Sequence, residues 1–162
     1  MPIENSTPDI RNAVRAVIVS NDQLLLLKKT GGDRGERYAL PGGAQNPGET
    51  LAQALERECL EEIGSTIEIL ALMNVADHFK TRETDPPSTR HMVEFLFRCD
   101  VPNDYLAHNG SKPDRSQTDV VWVNLANLAS MPLYPESLCH WLLEDVLRDT
   151  ALYSGIYLGT ME

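Results

Sequence analysis

The sequence has no long hydrophobic run, few cysteines and fewer basic than acidic residues. Its longest aliphatic run, Leu24 to Leu27, is far shorter than the roughly 20 apolar residues that a membrane-spanning helix needs. The first ten residues are mostly polar and lack the apolar segment of a secretory signal peptide. Three widely spaced cysteines, Cys59, Cys99 and Cys139, exclude a disulfide framework and favour free thiols. These absences predict a cytoplasmic protein with no membrane association.

Acidic residues dominate the charge of the chain. Asp and Glu number 24 against 14 Lys and Arg, which gives a formal net charge of −10. No basic stripe is visible, so the surface repels nucleic acid backbones, and no nucleic acid polymer is expected as a partner. A small anionic substrate is compatible with this charge if a cation lies between it and the protein.

The length and the order of the predicted elements define the expected fold. With 162 residues the chain has room for one domain with a core and is too short for two ordinary ones. Residues 1–9 are predicted to be a flexible polar tail, and residues 10–162 a single folded domain. Strands that precede, separate and follow two helices predict an α/β fold, a mixed β-sheet sandwiched between helices (α/β/α).

Local signals place these elements along the chain. Thr50 and Gln53 fit a capping box and Gly64 suits a left-handed cap, so the first helix is predicted at Leu51–Ile63. Apolar residues at helical spacing predict a second helix at Pro135–Arg148. Proline and glycine mark an irregular loop at 41–48. The predicted strands are Ala13–Val19, Gln23–Lys29, Arg37–Leu40, Thr66–Phe79, His91–Val101 and Val120–Val123, with polar loops at Lys80–Arg90 and Asn103–Thr118.

Three glutamates share one side of the first predicted helix. Glu58, Glu61 and Glu62 lie three or four residues apart, beside an expected core face, and such like charges destabilise a helix by about 0.2–0.5 kcal/mol per pair. Arg57 can offset part of this repulsion. Clustered carboxylates suit Mg²⁺ or Mn²⁺, whereas the absence of His and Cys among them argues against zinc; the alternative is a solvated acidic face. The expected core face consists of Ala52, Leu55, Cys59 and Ile63.

A glycine-containing loop precedes this helix at a fixed distance. The segment Leu40–Gly43 has little side-chain bulk and can bring backbone groups close to a metal ion or a phosphate. Gly43, Glu49, the pair Arg57-Glu58, the pair Glu61-Glu62 and Gly64 match Gx5Ex7REUxEExGU, in which U is aliphatic. The sequence therefore resembles the Nudix hydrolases. Cys59 and Ser65 depart from the pattern at two aliphatic positions, which puts no ligand in doubt, and the order of the elements extends the resemblance over most of the chain.

The resemblance implies a hydrolase that uses Mg²⁺ or Mn²⁺ to cleave the pyrophosphate linkage of a nucleoside diphosphate derivative. Glu58, Glu61 and Glu62 are then expected to hold the metal, with the carbonyl group of Gly42 as a further candidate ligand. The expected catalytic residues are Glu58 and Glu61, of which Glu58 is the first choice for deprotonating the attacking water, and Arg57, which orients the glutamates. Glu49 is expected to support the site, and Gly43 to let the loop pack against the helix.

Further candidates lie outside the signature. Glu94 is either an additional metal ligand or base, or a solvent-facing ion pair on its strand. Asp114 and Asp119 are alternative bases. Arg82 and Arg90, together with Lys80, could contact phosphates or be solvated loop charges. Tyr38, Phe79 and Tyr134 could stack on a base or pack in the core, and His78 and His91 are expected to be structural.

The substrate and the oligomeric state follow less directly from these residues. ADP-ribose or another ADP-sugar is the first expectation, and nucleoside triphosphates or dinucleoside polyphosphates are the alternatives. A non-catalytic, nucleotide-sensing Nudix domain is the rival class, which the presence of all four signature glutamates disfavours. A homodimer could form through exposed strand edges or the loop around Pro86-Pro87.

Overall fold

Eight β-strands, one α-helix and one 3-10 helix make up the part of the chain that the computed structural model describes, residues 10–32, 34–82, 84–138, 142 and 156–161. The predicted tail, residues 1–9, lies outside these ranges. Within them, no helix has the length and apolar character to cross a membrane. In chain order the elements are β1 (Arg11–Ser20), β2 (Gln23–Lys29), β3 (Arg37–Ala39), β4 (Gly42–Ala44), α1 (Leu51–Ile63), β5 (Glu68–Arg82), β6 (Ser88–Asp100), β7 (Gln117–Asn124), the 3-10 helix (Leu125–Ser130) and β8 (Ile156–Met161).

Strand β1 lies at the centre of the sheet. It runs parallel to β6, with Arg11 opposite Met92 and Ile18 opposite Cys99. Strand β6 pairs antiparallel with β5, and β8 runs parallel to the other edge of β5. On its remaining edge β1 pairs antiparallel with β4, and its end turns into β2, which pairs with β3 and β7. The combination of parallel and antiparallel pairs confirms the predicted mixed sheet.

Apolar side chains pack on both faces of the sheet. One cluster joins Leu55 of α1 to residues of β1 and β2. The cluster on the other face joins Val17 of β1 to the buried side chains of Leu138 and Leu142. These two leucines belong to the predicted helix Pro135–Arg148, most of which lies outside the described residues. Burial on both faces agrees with the predicted single-domain α/β arrangement.

Three predicted loops contain strand residues; one is the loop predicted at Asn103–Thr118, in which β7 already begins at Gln117. The loop at 41–48 includes β4, because Gly42 has a φ of +140° and, lacking a Cβ, lets its backbone approach Val14 of β1. The polar loop predicted at Lys80–Arg90 is shorter, since β5 continues to Arg82 and β6 begins at Ser88. The polarity of these residues reflects their exposure at the end of a hairpin, where a strand needs no apolar face. Strand β8 lies where no strand is predicted.

Helix α1 begins and ends where the caps predict. The hydroxyl group of Thr50 accepts a hydrogen bond from the backbone N–H of Gln53, and the side chain of Gln53 accepts one from the N–H of Thr50. Gly64 closes the helix in the left-handed conformation, at a φ of +64°. The expected inward position of Ala52 is wrong: Ala54 is buried instead, and the two side chains point about 160° apart around the helix axis.

The loop between β6 and β7 closes the C-terminal end of α1. The last carbonyl groups of a helix have no partner within the helix, so they need donors from elsewhere. Here these donors fix the turn that holds Glu61 and Glu62. They are Lys112 N to the carbonyl of Glu61 (2.9 Å), Gly110 N and Gln117 Nε2 to that of Glu62 (2.9 and 2.8 Å), and Tyr105 Oη to that of Ile63 (2.7 Å).

We expect Gly110→Ala to destabilise the protein. A Cβ atom at this position would lie 2.3 Å from the carbonyl oxygen of Glu61, so the loop or the helix end must shift. The expected loss is about 1–3 kcal/mol in the free energy of unfolding, the usual cost of overpacking. Urea denaturation followed by circular dichroism measures it. Ser111→Ala, at an exposed position of the same loop, is the control, and an equal effect of both changes would contradict the close packing of the loop against α1.

Candidate active site

Arg57 connects the helix to the loop that precedes it. Its Nε and Nη2 atoms donate to the two carboxylate oxygens of Glu49, at 2.5 and 3.1 Å, and Nη2 also donates to the carbonyl of Ala44 at 3.0 Å. Its Nη1 atom donates to Oε1 of Glu58 at 2.8 Å and lies 3.6 Å from Oε2 of Glu61. The hydrogen bonds from Arg57 and from the backbone of Asn46 lower the pKa of Glu49. One guanidinium group therefore orients three signature glutamates.

Glu62 lies inside the buried stripe of α1, seven residues after Leu55, and only 4% of it is exposed. The alternative of a solvated acidic face is therefore wrong for Glu62, which lies in the core stripe itself and not on the arc beside it. Oε2 of Glu62 accepts a hydrogen bond from the backbone N–H of Gly42 at 2.8 Å. Burial raises the pKa of Glu62 to about 7, and this bond and the charge of Arg15 offset only part of that rise. The site thus holds a carboxylate whose negative charge lacks full compensation.

The two glycines of β4 allow this close approach between strand and helix. A Cβ atom on Gly43 would lie 2.5 Å from Oε1 of Glu58, and one on Gly42 would lie 1.9 Å from the carbonyl oxygen of Val14. Gly42 therefore joins β1, and Gly43 packs against the helix as expected. The carbonyl oxygen of Gly42 accepts a hydrogen bond from Nη1 of Arg15 at 3.0 Å, and its second lone pair can still accept another ligand.

Glu94 faces the same region from β6. One of the two expectations for Glu94 is a solvent-facing ion pair. That expectation is wrong, because only 2% of Glu94 is exposed. Nε of Arg15 donates to Oε2 of Glu94 at 2.9 Å, and Nδ1 of His78 lies 3.4 Å from Oε1. Burial alone would raise the pKa of Glu94, but the charge of Arg15 and the hydrogen bonds from His78 and Arg15 lower it to about 2. Glu94 is thus a fully ionised partner of Arg15.

The remaining predicted site residues have other partners. Asp114 pairs with Lys29, and the exposed Asp119 accepts a hydrogen bond from the backbone of Val120; their role as alternative bases stays a prediction. Arg82 and Arg90 lie on the outer part of the β5–β6 hairpin instead of in a loop at the site. Tyr38 belongs to the core, with 9% of its surface exposed, and this packing does not suit base stacking.

A small cavity of about 140 Å³ adjoins Arg15 and Glu94, on the sheet face opposite to the α1 core, and cations line it. Sequence reasoning missed four of these cations, because they come from β1, β2, β3 and the loop before β3. Only Arg15 offers a sequence signal, as a lone charge within the apolar run of β1. A larger open cavity of about 700 Å³ shares part of the wall. We call the smaller cavity the inner cavity; its five cations are Arg15, Lys29, Arg34, Arg37 and Lys80.

The side chains of the helix present the donors that a hard divalent cation prefers. Glu58, Glu61 and Glu62 supply only oxygen, and the raised pKa of Glu62 marks a carboxylate in need of positive charge. Within the residues that the structure describes, no three Asp, Glu, His or Cys side chains lie close enough together to hold a metal ion. Glu58 is bound by Arg57 instead, and Glu62 by the N–H of Gly42. The donor chemistry and the glycine cradle fit Mg²⁺ or Mn²⁺, and the carboxylates would have to move closer together to bind the ion.

Known proteins resemble this chain over most of its length. The family model for the NUDIX domain matches residues 9–142. A curated relative from Enterobacter sp. (strain 638), named nucleoside triphosphatase NudI, is 32% identical over 123 residues, which is 72% of this chain and 84% of that protein.

Solved structures agree with this result. A MutT NUDIX hydrolase from Burkholderia pseudomallei superposes with a TM-score of 0.65 and 25% identity, covering 85% of this chain and 98% of that one. An ADP-ribose pyrophosphatase from Streptococcus suis 89-1591 has a TM-score of 0.63 and 18% identity, over 91% of this chain and 98% of that one, and shows the shared fold. The chain therefore belongs to the Nudix hydrolase family and is an enzyme of the nucleotide pyrophosphohydrolase class.

Proposed function

We propose that this enzyme hydrolyses a phosphoanhydride bond of a nucleoside triphosphate with the help of Mg²⁺ or Mn²⁺. The observation that carries the proposal is the juxtaposition of an acidic helix end with a cation-lined cavity. Arg15 of the cavity donates to the carbonyl of Gly42 at 3.0 Å, and the N–H of Gly42 donates to Glu62 at 2.8 Å, so one residue connects the cavity to the helix glutamates. A polyphosphate needs positive charge from both the metal and the protein, because the chain as a whole carries a formal charge of −10.

The helix glutamates have two roles in this proposal, metal binding and proton acceptance. Glu58, Glu61 and Glu62 would hold the divalent cation, with the carbonyl of Gly42 as a further ligand. When bound, this cation supplies charge neutralisation and Lewis acidity toward the phosphoanhydride. Oε1 of Glu58 is engaged by Arg57, and no described residue bonds Oε2, which is therefore available to accept the proton of the attacking water. Arg57 and Glu49 keep Glu58 in this orientation.

Nucleoside triphosphates take precedence over ADP-ribose as the proposed substrate. The relative named nucleoside triphosphatase is 32% identical, whereas the structure named ADP-ribose pyrophosphatase is 18% identical and supports only the fold. The concentration of cations in the inner cavity also suits three phosphates better than a diphosphate that ends in a neutral sugar. ADP-sugars and dinucleoside polyphosphates stay predictions, as does the homodimer.

The proposed activity is tested with a panel of nucleotides. The full chain is incubated with nucleoside triphosphates, ADP-ribose and a dinucleoside polyphosphate, each with Mg²⁺ or Mn²⁺. We expect metal-dependent release of nucleoside monophosphate or phosphate, fastest from a triphosphate. Hydrolysis of ADP-ribose alone would contradict the proposed substrate class, and no hydrolysis of any nucleotide would contradict the proposed function.

We expect Glu61→Gln and Glu62→Gln to reduce turnover at least about tenfold each, as loss of a metal-site group commonly does. The neutral amide keeps the shape of the side chain but removes the charge that the cation needs. Steady-state hydrolysis of the best nucleotide measures the effect. Glu56→Gln, an exposed position on the same helix, is the matched control and should leave turnover unchanged. Normal turnover of either test variant would contradict its assigned role.

Arg57→Ala is expected to lower both turnover and stability. The change leaves Glu49 and Glu58 without their shared donor, and the crowded carboxylates then repel one another. We expect a loss of about 1.5–3 kcal/mol in the free energy of unfolding, the range for hydrogen bonds to charged groups. Thermal denaturation and initial rates measure the two effects. Arg57→Lys should fall between the wild type and Arg57→Ala, because one ammonium group cannot bind both glutamates as a guanidinium does. An unchanged melting temperature and rate in Arg57→Ala would show that Arg57 is only a surface charge.

A further inference from the structure

Three cations of the inner cavity have no carboxylate partner in the described part of the chain. Arg15 pairs with Glu94 and Lys29 with Asp114, so two of the five positive charges are balanced. Arg37 donates to the carbonyls of Gly31 and Gly35 and to the hydroxyl of Ser116, all of which are neutral acceptors; for Arg34 and Lys80 the described residues supply no ion pair. Three positive charges in the cavity wall, those of Arg34, Arg37 and Lys80, are therefore not balanced by a carboxylate of the described residues.

Arg34 and Lys80 both lie against one aromatic ring. The guanidinium carbon of Arg34 is 4.2 Å from the centre of the Tyr134 ring, and Nζ of Lys80 is 5.7 Å from it. A cation–π contact at an exposed site contributes only about 0.5–1 kcal/mol, and the two cations repel each other. Burial and the nearby charges of Arg34, Lys29, Arg15 and Arg37 lower the pKa of Lys80, as this repulsion requires.

Hydrogen bonds hold the described backbone near these side chains. The N–H of Tyr134 donates to the carbonyl of Tyr38 at 2.8 Å, which anchors the ring beside β3. Arg34 lies between Gly32 and Gly35, whose positive φ angles turn the loop between β2 and β3. The hydrogen bonds from Arg37 to the carbonyls of Gly31 and Gly35 close this loop on itself. Arg37 therefore positions the loop, and the side chains of Arg34 and Lys80 both line the cavity.

We infer that Arg34 and Lys80 form the subsite for the terminal phosphate of the substrate, and this inference rests on the proposed triphosphate hydrolysis. A phosphate between the two cations would replace their repulsion with two charge-assisted hydrogen bonds. Arg15 lines the same cavity as Arg34 and Lys80 and donates to the carbonyl of Gly42 at 3.0 Å, while the N–H of Gly42 donates to Glu62 at 2.8 Å. Gly42 alone therefore separates this cavity from the helix glutamates. The pair selects triphosphates against nucleoside diphosphates that end in a neutral group.

The test compares Arg34→Gln and Lys80→Gln with Arg82→Gln in the full chain. Arg82 lies on β5, two residues after Lys80, and loses the same unit of charge outside the cavity wall. We expect kcat/KM for a nucleoside triphosphate to fall about tenfold or more in each of the first two variants, from the loss of one charge-assisted hydrogen bond. kcat/KM for ADP-ribose should change less than about twofold in all variants, and Arg34→Lys should restore part of the triphosphate activity. An equal loss for both substrates would assign the pair to the nucleoside or to the two phosphates that both substrates share. An equal loss in Arg82→Gln would show an effect of overall charge only. Either result overturns the inference.

A binding measurement separates this inference from the proposed function. Titration calorimetry with inorganic tripolyphosphate and Mg²⁺ should give at least about tenfold weaker binding in Arg34→Gln and Lys80→Gln than in the wild type and Arg82→Gln. If the wild type hydrolyses no nucleotide but shows this pattern, the proposed function fails and the anion subsite stands. If nucleotides are hydrolysed but tripolyphosphate binds all variants equally, the subsite is wrong and the proposed function stands.

Discussion

The hydrogen bond from the backbone of Gly42 to the buried carboxylate of Glu62 is the contact on which the site depends. It requires a strand without a side chain at 42 and a helix whose core stripe contains a glutamate. Burial raises the pKa of Glu62 to about 7, so the fold keeps a carboxylate where its charge is costly. Such a cost is understandable where a divalent cation completes the site, and it explains why the glycine loop and the acidic helix occur together.

The rest of the architecture keeps this contact in register. Caps at Thr50 and Gly64 determine where α1 begins and ends, and the loop between β6 and β7 binds its final carbonyl groups. Arg57 holds Glu49 and Glu58 from the other side of the helix. Arg15 of β1 donates hydrogen bonds to both the Gly42 carbonyl and Glu94, and it lines the cationic cavity. One continuous set of hydrogen bonds and ion pairs therefore joins the acidic and basic parts of the site.

The local features of the chain could be predicted from its sequence, and the distant ones could not. The cap residues Thr50 and Gly64 predict α1 to the residue, and the spacing of the glycines and glutamates predicts the acidic helix behind a glycine loop. The burial of Glu62 depends on how closely β4 approaches, which spacing does not report. Arg34 and Lys80 are separated by 45 residues of chain, and only the pairing of the strands in the sheet brings them to the same cavity. Tyr38 and Arg82 were candidates by residue type, and only tertiary packing places them elsewhere.

Calorimetric titration of the full chain with Mn²⁺ in buffers of different ionisation enthalpy tests the central claim most directly. Below a pH of about 7 Glu62 is largely protonated, and a cation that binds its carboxylate must displace that proton. We therefore expect binding at pH 6 to release up to one proton from this group and binding at pH 8.5 to release almost none. Absence of Mn²⁺ binding at both pH values, or binding at pH 6 with no proton release, would contradict a metal site built on the buried glutamate.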